Sequence, residues 1–339
     1  MEKKMKPLAV TLGDPSGIGP EIVAKAWSRR KSDQIMPFFA IGSAASIQAV
    51  SSIPVVAITD PNEVISIFDQ ALPVWDIPSK ETIIPGKPNK AGAEVAFAAL
   101  EKGVALVKQG QASALVTAPV SKAELYQVGF TFPGQTEFVA NRCGIAADDA
   151  VMMLAGPDLR TVPLTIHIPY RDVLEQLTPE LIISRARVTV EDLKRNFAIP
   201  SPRLVVAGLN PHAGENGTIG REEIDSIEPA IRQLQAENID IKGPFAADTL
   251  FSPRARATYD VALCPTHDQA LIPIKTINFD NGVNTTLGLP IIRTSPDHGT
   301  AFPLAGKNKA DEGAMVAALV MAANSAHNRQ AYAQNSIDG

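Results

Sequence analysis

The sequence predicts an α/β protein, because short apolar segments rich in strand-forming residues alternate with longer segments of helical periodicity. A length of 339 residues allows two domains, or one large domain with a deep cleft. Hydrophobic residues make up 45% of the chain and charged residues 20%, which is typical of globular proteins. We therefore expect parallel strand–helix units around a substantial apolar core.

The elements follow from local composition and periodicity. Strands are predicted at 7–12, 113–120, 150–154, 161–168, 203–209 and 259–264. Helices are predicted from about residue 20 and at 91–108, 179–196, 222–237 and 310–323. The helix at 91–108 has an apolar stripe formed by Phe97, Leu100, Val104 and Val107. No internal repeat or low-complexity segment interrupts this order.

Charge and cysteine content exclude several classes of protein. The net charge of −5 argues against a general nucleic-acid or membrane-surface binder. Cys143 and Cys264 form no CxxC pair, which favours a reducing compartment over a disulfide framework. The sequence contains neither a signal-peptide pattern nor an apolar run of about 20 residues. We expect a cytoplasmic protein without nucleic-acid or membrane partners.

Three of the five histidines share one setting, at or just past the carboxyl end of a predicted strand. They are His167, His212 and His267. Ligands bind at this edge of open α/β sheets, so three imidazoles there would form a divalent-metal site. Each histidine taken alone could instead be an isolated polar residue bonded to nearby backbone, and their spacing leaves both interpretations open. His327 is interpreted as a surface residue, and His298 lies in a glycine-containing loop.

Two cations stand alone in apolar or neutral stretches. They are Lys275 and Arg293. A charge is costly to bury without a partner, so a bound anion is one explanation and snorkelling to the surface is another. Asn284 lies between them and offers a neutral donor and acceptor. Together these residues could orient a phosphate and a carboxylate.

The passage GDPSGIGPE, which follows the first predicted strand, resembles a phosphate loop only superficially. It lacks both the GxxxxGK[ST] lysine and a GxGxxG pattern. A tight turn that packs the first helix on the sheet is the favoured interpretation. The chain also has no GxSxG elbow, so acyl-transfer chemistry has no support.

Seven passages in one order resemble the 4-hydroxythreonine-4-phosphate dehydrogenase family over nearly the whole chain. They are TLGDPSGIGPE from Thr11, VTAPVSK from Val116, PGQTE from Pro133, LNPHAGE from Leu209, ADTLF from Ala247, THDQALIPIK from Thr266 and GVNTTLGLPIIRTSPDHGTA from Gly282. Several separate motifs in a fixed order are specific, and chance is a poor explanation for them.

The resemblance implies an isocitrate/isopropylmalate-dehydrogenase-like fold, with two α/β domains flanking a cleft. We expect a nucleotide-binding domain at 1–130 plus 282–339, and a metal- and substrate-binding dimerisation domain at 131–281. The resemblance also implies a homodimer with its active site at the subunit interface. One divalent metal per subunit, zinc, magnesium or cobalt, would be bound by His167, His212 and His267. That ligand set can draw on both subunits.

Family substrate contacts carry over to Thr136, Lys275, Asn284 and Arg293. Where the family pattern reads GHTE, this chain reads GQTE, so Gln135 replaces a substrate-contacting histidine. Glutamine keeps a donor and an acceptor but cannot change its charge near neutral pH. We therefore expect hydrogen bonding to survive at this position, whereas proton transfer would not, and the substrate remains open.

The family uses NAD or NADP without the Rossmann fingerprint. The passage DHGTAFPLAGKNKA is similar to the cofactor loop of isocitrate and isopropylmalate dehydrogenases. This similarity places His298, Gly299 and Thr300 near the nucleotide.

The implied activity is metal-dependent, NAD(P)-dependent oxidation of 4-hydroxythreonine 4-phosphate, a small phosphorylated hydroxy acid, in pyridoxine biosynthesis. The resulting 3-oxo acid would lose CO2 to give 3-amino-2-oxopropyl phosphate. Lys275 is the candidate for proton transfer, because a buried lysine near a metal can act as an acid or base.

Two alternatives remain open. One is a related dehydrogenase for threonate or erythronate 4-phosphate, or for a cyclic cis-diol dicarboxylate. The other is a catalytically silent metal- or nucleotide-binding descendant of such an enzyme.

Overall fold

The structure is a computed structural model that describes residues 5–338, with side chains through residue 335. The expectation of no signal peptide falls partly on residues 1–4, which lie outside the described residues. Backbone contacts divide the chain into two units. The first unit comprises residues up to 147 and residues 289–327, and the second comprises residues 148–288 and those from 328 onward.

The first unit contains a parallel sheet with strand order β3-β4-β2-β1-β5-β12. These strands are β1 (Leu8–Thr11), β2 (Phe38–Gly42), β3 (Val55–Ala57), β4 (Leu72–Asp76), β5 (Leu115–Thr117) and β12 (Arg293–Pro296). Strands β1, β2 and β5 are buried throughout, which explains their continuous apolar sequences. Because all the strands run in one direction, their carboxyl ends share one edge.

The second unit contains a mixed sheet with strand order β11-β6-β7-β10-β8-β9. These strands are β6 (Val151–Ala155), β7 (Arg160–Pro163), β8 (Arg203–Ala207), β9 (Asp240–Phe245), β10 (Val261–Cys264) and β11 (Val283–Leu287). Strands β7, β10, β8 and β9 are parallel, whereas β6 is antiparallel to both β7 and β11. Leu154, Val205, Ala262 and Ile274 belong to the apolar core behind this sheet.

Helices cover the strands in each unit. In the first unit they are α1 (Gly19–Ser28), α2 (Ala44–Gln48), α3 (Val64–Ile67), α4 (Lys90–Lys108), α5 (Lys122–Tyr126) and α6 (Gln135–Cys143). In the second unit they are α7 (Tyr170–Gln176), α8 (Pro179–Phe197), α9 (Glu228–Ala236), α10 (Ala247–Leu250), α11 (Pro253–Arg256) and α12 (His267–Ile277). Helix α13 (Gly313–Asp338) contributes residues to both units. Within residues 5–338, no helix combines the length and apolarity needed to cross a membrane.

The α/β class predicted from the sequence is confirmed, and each predicted strand overlaps an observed one. Helix α4 begins where the Asn89 side chain accepts a hydrogen bond from the Gly92 amide, and Leu100, Val104 and Val107 on its predicted stripe are buried.

Several predicted boundaries were wrong. The helix predicted at 310–323 extends to residue 338. The helix predicted at 222–237 has the expected bounds to within one residue, although it begins as a π-helical turn at Glu223–Ile227. The strand predicted at 161–168 ends at Pro163, and His167 has a left-handed φ of 54° that no strand can contain.

The two units also differ from the expected domain boundaries. Residues 131–147 belong to the first unit, because α6 packs on α4 there. The Phe97 and Phe138 rings are 5.9 Å apart, and Arg142 donates hydrogen bonds to Glu101. Residues 283–287 belong to the second unit, because they form strand β11 beside β6.

Candidate functional site

The three strand-end histidines lie in the second unit, after three strands that are neighbours in its sheet. Strands β7, β10 and β8 are adjacent and parallel, and they lead into the loops that carry His167, His267 and His212 respectively. Since parallel strands end at a common edge, the three loops share it, as the sequence predicted.

Hydrogen bonds between these loops fix them relative to one another. Thr165 Oγ1 donates to the Pro265 carbonyl at 2.7 Å, which joins the loops after β7 and β10. Gln269 Nε2 donates to the Gly208 carbonyl at 2.8 Å, which joins the start of α12 to the loop after β8. Gln269 also forms a capping box with Thr266. The edge is therefore held by direct bonds between all three loops.

The structure brings two of the three histidines together. The ring centroids of His167 and His267 are 5.6 Å apart. Both rings border a cavity of about 130 Å³ that is also lined by Tyr170 and Asp268. Among residues 5–338, no three histidine, cysteine or acidic side chains gather closely enough to hold a metal ion. The His212 ring, 65% exposed, thus lies outside the pair within one chain.

Asp268 orients the His267 ring. Its Oδ1 lies 2.8 Å from His267 Nδ1, and its Oδ2 accepts a hydrogen bond of 2.7 Å from the Tyr170 hydroxyl. The hydrogen bonds from His267 and Tyr170 lower the pKa of the Asp268 carboxyl. When Nδ1–H donates a hydrogen bond to this carboxylate, Nε2 carries the lone pair and can bind a ligand, as in carboxylate–histidine–metal sites.

His167 and His212 both lie in left-handed backbone, with φ values of 54° and 53°. His212 begins a run in which every φ from residue 212 to residue 217 is positive. We call residues 212–217 the left-handed turn. A left-handed conformation costs about 1–2 kcal/mol for each non-glycine residue. Such strain persists only where the surroundings hold it, and it clusters at functional sites.

In the first unit, Arg293 lies next to the start of α6. Its guanidinium donates to Thr117 Oγ1 at 2.8 Å and to Thr136 Oγ1 at 3.4 Å. Arg293 is only 4% exposed, and burial lowers its pKa to about 10, with Glu137 acting in the opposite direction. The side chain therefore still carries its positive charge at neutral pH.

Gln135 is the first residue of α6 and precedes Thr136. Its Nε2 donates to the Ala118 carbonyl at 3.3 Å, which fixes the amide plane. Its Oε1 is buried and has no hydrogen-bond partner within the described part of the chain. The residue that departs from the family pattern is thus held in place beside the Arg293 contact.

Two loops meet at the carboxyl edge of the first unit. The Ile18 amide, within GDPSGIGPE, donates to the Thr300 carbonyl at 3.0 Å. A Cβ on Gly19 would stand 1.9 Å from the Leu12 carbonyl oxygen, so only glycine allows this close packing of α1 on β1. This geometry agrees with the packing-turn interpretation of the glycine-rich passage. His298 and Gly299 are exposed beside this contact.

The predicted substrate residues of the second unit are more exposed than we expected. Lys275 lies exposed in the last turn of α12, so the burial assumed for its proton-transfer role was wrong for the described chain. Asn284 lies on β11, where its Nδ2 is 3.3 Å from Met152 Sδ.

Sequence reasoning did not find the buried carboxylates, and two of them lie in glycine-rich segments. Asp14 is 2% exposed, and burial raises its pKa to about 6 although the Ser16 amide donates to it. Glu223 is 1% exposed and accepts from the Asn210 backbone and side chain. Their only sequence signal is an acidic residue in a glycine-rich segment, which is too common to be specific.

These features define an α/β protein with a strand-end histidine cluster in one unit and a buried arginine in the other. The family model described as "Pyridoxal phosphate biosynthetic protein PdxA" matches residues 34–322. A 4-hydroxythreonine-4-phosphate dehydrogenase from Zymomonas mobilis is 99% identical over 335 residues, which cover 99% of this chain and 100% of the relative. One from Erythrobacter litoralis is 51% identical, covering 97% and 99%. The chain belongs to the PdxA family.

Solved structures agree. A 4-hydroxythreonine-4-phosphate dehydrogenase from Klebsiella pneumoniae has a TM-score of 0.84 and 34% identity, covering 95% of this chain and 99% of its own. A terephthalate 1,2-cis-dihydrodiol dehydrogenase from Burkholderia xenovorans has a TM-score of 0.65 and 28% identity, covering 95% and 98%.

Proposed function

We propose that the protein is a cytoplasmic, metal-dependent and NAD(P)-dependent dehydrogenase that oxidises 4-hydroxythreonine 4-phosphate in pyridoxal phosphate biosynthesis. The observation that carries the proposal is the placement of His167, His212 and His267 after three adjacent parallel strands. The names of the relatives supply the substrate. The product, a 3-oxo acid, would lose CO2 to give 3-amino-2-oxopropyl phosphate.

The histidine cluster fits a divalent metal by the chemistry of its donors. Imidazole suits several divalent ions, and the Asp268 contact leaves His267 Nε2 directed to a ligand. We propose one zinc, magnesium or cobalt ion per subunit, held by His167 and His267, with His212 from a second copy of the chain. Such a metal supplies Lewis-acid polarisation of the substrate hydroxyl, and the nicotinamide supplies the hydride acceptor.

In the first unit, Arg293 is proposed to bind an anionic group of the substrate. Its guanidinium is buried, stays charged at neutral pH and is fixed by two threonine hydroxyls. Thr136 and Gln135 begin α6, where the helix dipole favours negative charge. His298, Gly299 and Thr300 are proposed to lie near the nucleotide.

In the second unit, we propose that Lys275 and Asn284 contact the substrate. Lys275 would also be the proton-transfer residue, and its exposure means that another surface must cover it during the reaction. The Asn284 carboxamide offers both a donor and an acceptor to a hydroxyl group.

The direct test follows NADH or NADPH formation at 340 nm from 4-hydroxythreonine 4-phosphate, before and after chelation and metal replacement. Activity that disappears on chelation and returns with zinc, cobalt or magnesium would support the proposal. Metal-replete protein that forms neither reduced cofactor would refute it.

A homodimer with shared active sites predicts complementation between two inactive variants. His212→Ala and His267→Ala each remove one ligand, but a mixed dimer would contain one intact site. Unfolding and refolding an equal mixture should then restore about one quarter of wild-type activity by random pairing. A mixture as inactive as its parts would show that the site is not shared in this way.

A second candidate is oxidation of a cyclic cis-diol dicarboxylate. Two observations motivate this candidate. The solved structure from Burkholderia xenovorans is named for such a reaction, and Gln135 stands in place of a histidine. Terephthalate dihydrodiol should be tested beside 4-hydroxythreonine 4-phosphate, with wild type and Gln135→His. A higher kcat/KM for the diol in the wild type would favour this alternative.

A further inference from the structure

The left-handed turn carries His212, but the hydrogen bonds between residues close in sequence do not explain why the turn is stable. The Ala213, Thr218 and Ile219 amides donate to carbonyls within residues 210–215, at 3.1–3.2 Å. These bonds link the turn to itself. An external anchor must hold it against its local backbone preference, because such conformations persist only when the surroundings impose them.

Glu223 is that anchor. Its Oε1 accepts from the Asn210 amide at 2.8 Å, and its Oε2 accepts from Asn210 Nδ2 at 2.9 Å. The carboxylate therefore binds both the backbone amide and the side-chain amide of Asn210, which lies two residues before the turn. Glu222 adds a third acceptor, since its Oε2 lies 2.6 Å from the same Asn210 nitrogen.

The inner side of the turn also packs on this carboxylate. A Cβ on Gly214 would stand 2.6 Å from Glu223 Oε2, so the backbone at the centre of the turn lies directly against it. A Cβ on Gly220 would stand 2.3 Å from Asn210 Nδ2. Glycine at both positions lets the chain close around the Glu223–Asn210 pair.

Glu223 itself is held rigidly. It is 1% exposed and begins the π-helical turn Glu223–Ile227, a rare element that occurs often at functional sites. On the other side of the loop, the Gly208 carbonyl accepts from Gln269 two residues after His267. The loop that presents His212 is thus fixed at one end to α12 and at the other to Glu223.

We infer that Glu223 is a positioning residue, which holds the left-handed turn so that His212 is presented as a metal ligand. This inference rests on the proposed function for the metal, but the positioning of the turn is independent of it. Glu223 lies behind the turn and acts through Asn210 and Gly214.

The test combines hydrogen exchange of metal-free protein with Co²⁺ binding by calorimetry, using Glu223→Gln. Glutamine keeps the shape but replaces one acceptor with a donor, which opposes the Asn210 donors. The Ala213, Thr218 and Ile219 amides should exchange roughly tenfold faster. Co²⁺ affinity should fall roughly tenfold, as for other residues that support a ligand.

Asp225→Asn is the matched control, because Asp225 is exposed in the same π-helical turn and pairs with Arg221. It should change neither measurement. If Glu223→Gln does not fold, Gly214→Ala tests the same contact from the turn side and should give both effects.

Unchanged exchange in the folded variants would overturn the inference, as would faster exchange with unchanged Co²⁺ affinity. If the wild type binds no Co²⁺, the metal proposal fails and the inferred role for His212 fails with it. Faster exchange would still show that Glu223 holds the turn.

Discussion

The edges formed by the carboxyl ends of parallel strands are built in opposite ways in the two units. In the first unit, the contacts are between backbone groups. The Ile18 amide donates a hydrogen bond to the Thr300 carbonyl, and Gly19 packs against the Leu12 carbonyl. The Asp14 carboxyl, beside these loops, is buried. In the second unit, His167 and His212 lie in left-handed backbone and are exposed, whereas His267 is half-buried at the start of α12. The first unit offers backbone groups and the buried Arg293 guanidinium, whereas the second offers imidazole donors.

The largest effect should follow loss of a side-chain donor at the second edge. His267→Ala should lower kcat/KM roughly 10³-fold, because a ligand that holds the Lewis acid is removed. The measurement is the 340 nm assay together with metal content. His327→Ala is the control, since His327 is exposed on α13. Full activity in His267→Ala would show that the histidine edge of the second unit takes no part in the reaction.

At the first edge, the comparison predicts an effect of pH on stability. The Asp14 pKa is about 6 when folded against 3.8 as an ordinary carboxyl, so the folded state binds more protons between these values. Its contribution to the free energy of unfolding is therefore present below pH 4 and lost as the pH rises through 6. The loss is at most about 3 kcal/mol.

Urea unfolding of wild type and Asp14→Asn from pH 4 to pH 7 measures this term. The variant should lose that part of the pH dependence, whereas Asp69→Asn, which alters an exposed carboxyl of the same unit, should keep it. Identical pH profiles for wild type and Asp14→Asn would contradict the assignment.

A smaller effect is expected for Arg293→Lys. Lysine keeps the charge but cannot donate in two fixed directions to Thr117 and Thr136. We expect KM for the phosphorylated substrate to rise by roughly 30-fold, about 2 kcal/mol, with a smaller change in kcat. Arg187→Lys, at the exposed pair with Glu237, serves as the control. An unchanged KM would exclude Arg293 from substrate binding.

The smallest effect concerns the support of His267. Asp268→Asn removes the carboxylate at Nδ1 and should weaken Co²⁺ binding roughly tenfold, about 1.4 kcal/mol. Calorimetry measures this affinity, with Asp172→Asn as the control at an exposed pair with Arg171. Equal affinity in wild type and Asp268→Asn would mean that the carboxylate does not tune the ligand.

The same contrast explains what the sequence could predict. The buried apolar strands β1 and β10 were predicted, and so was His267 after β10, but the equally buried β2 was missed. Strand β9, DIKGPF, has one buried residue and contains a glycine and a proline, which are unfavourable within strands, so its sequence predicted no strand.

The rest depended on contacts distant in sequence. Residues 131–147 join the first unit through aromatic packing on α4, and Asn210 is tied to a glutamate thirteen positions later. The left-handed turn has four non-glycine residues, for which composition predicts no positive φ. His212 was identified by its strand. The resemblance already implied a ligand set that can draw on both subunits, with which the lack of a three-residue group within residues 5–338 agrees.

The division of the chain has a consequence for its synthesis. Each unit is made of two segments, and the last segments are residues 289–327 and those from 328 onward. A nascent chain that has reached residue 288 still lacks β12, the neighbour of β5. One that has reached residue 327 still lacks Arg329, which donates to Asn196 in the second unit. The first unit therefore cannot complete its strands before residues 293–296 have been made, and the second unit gains the Arg329 contact later still.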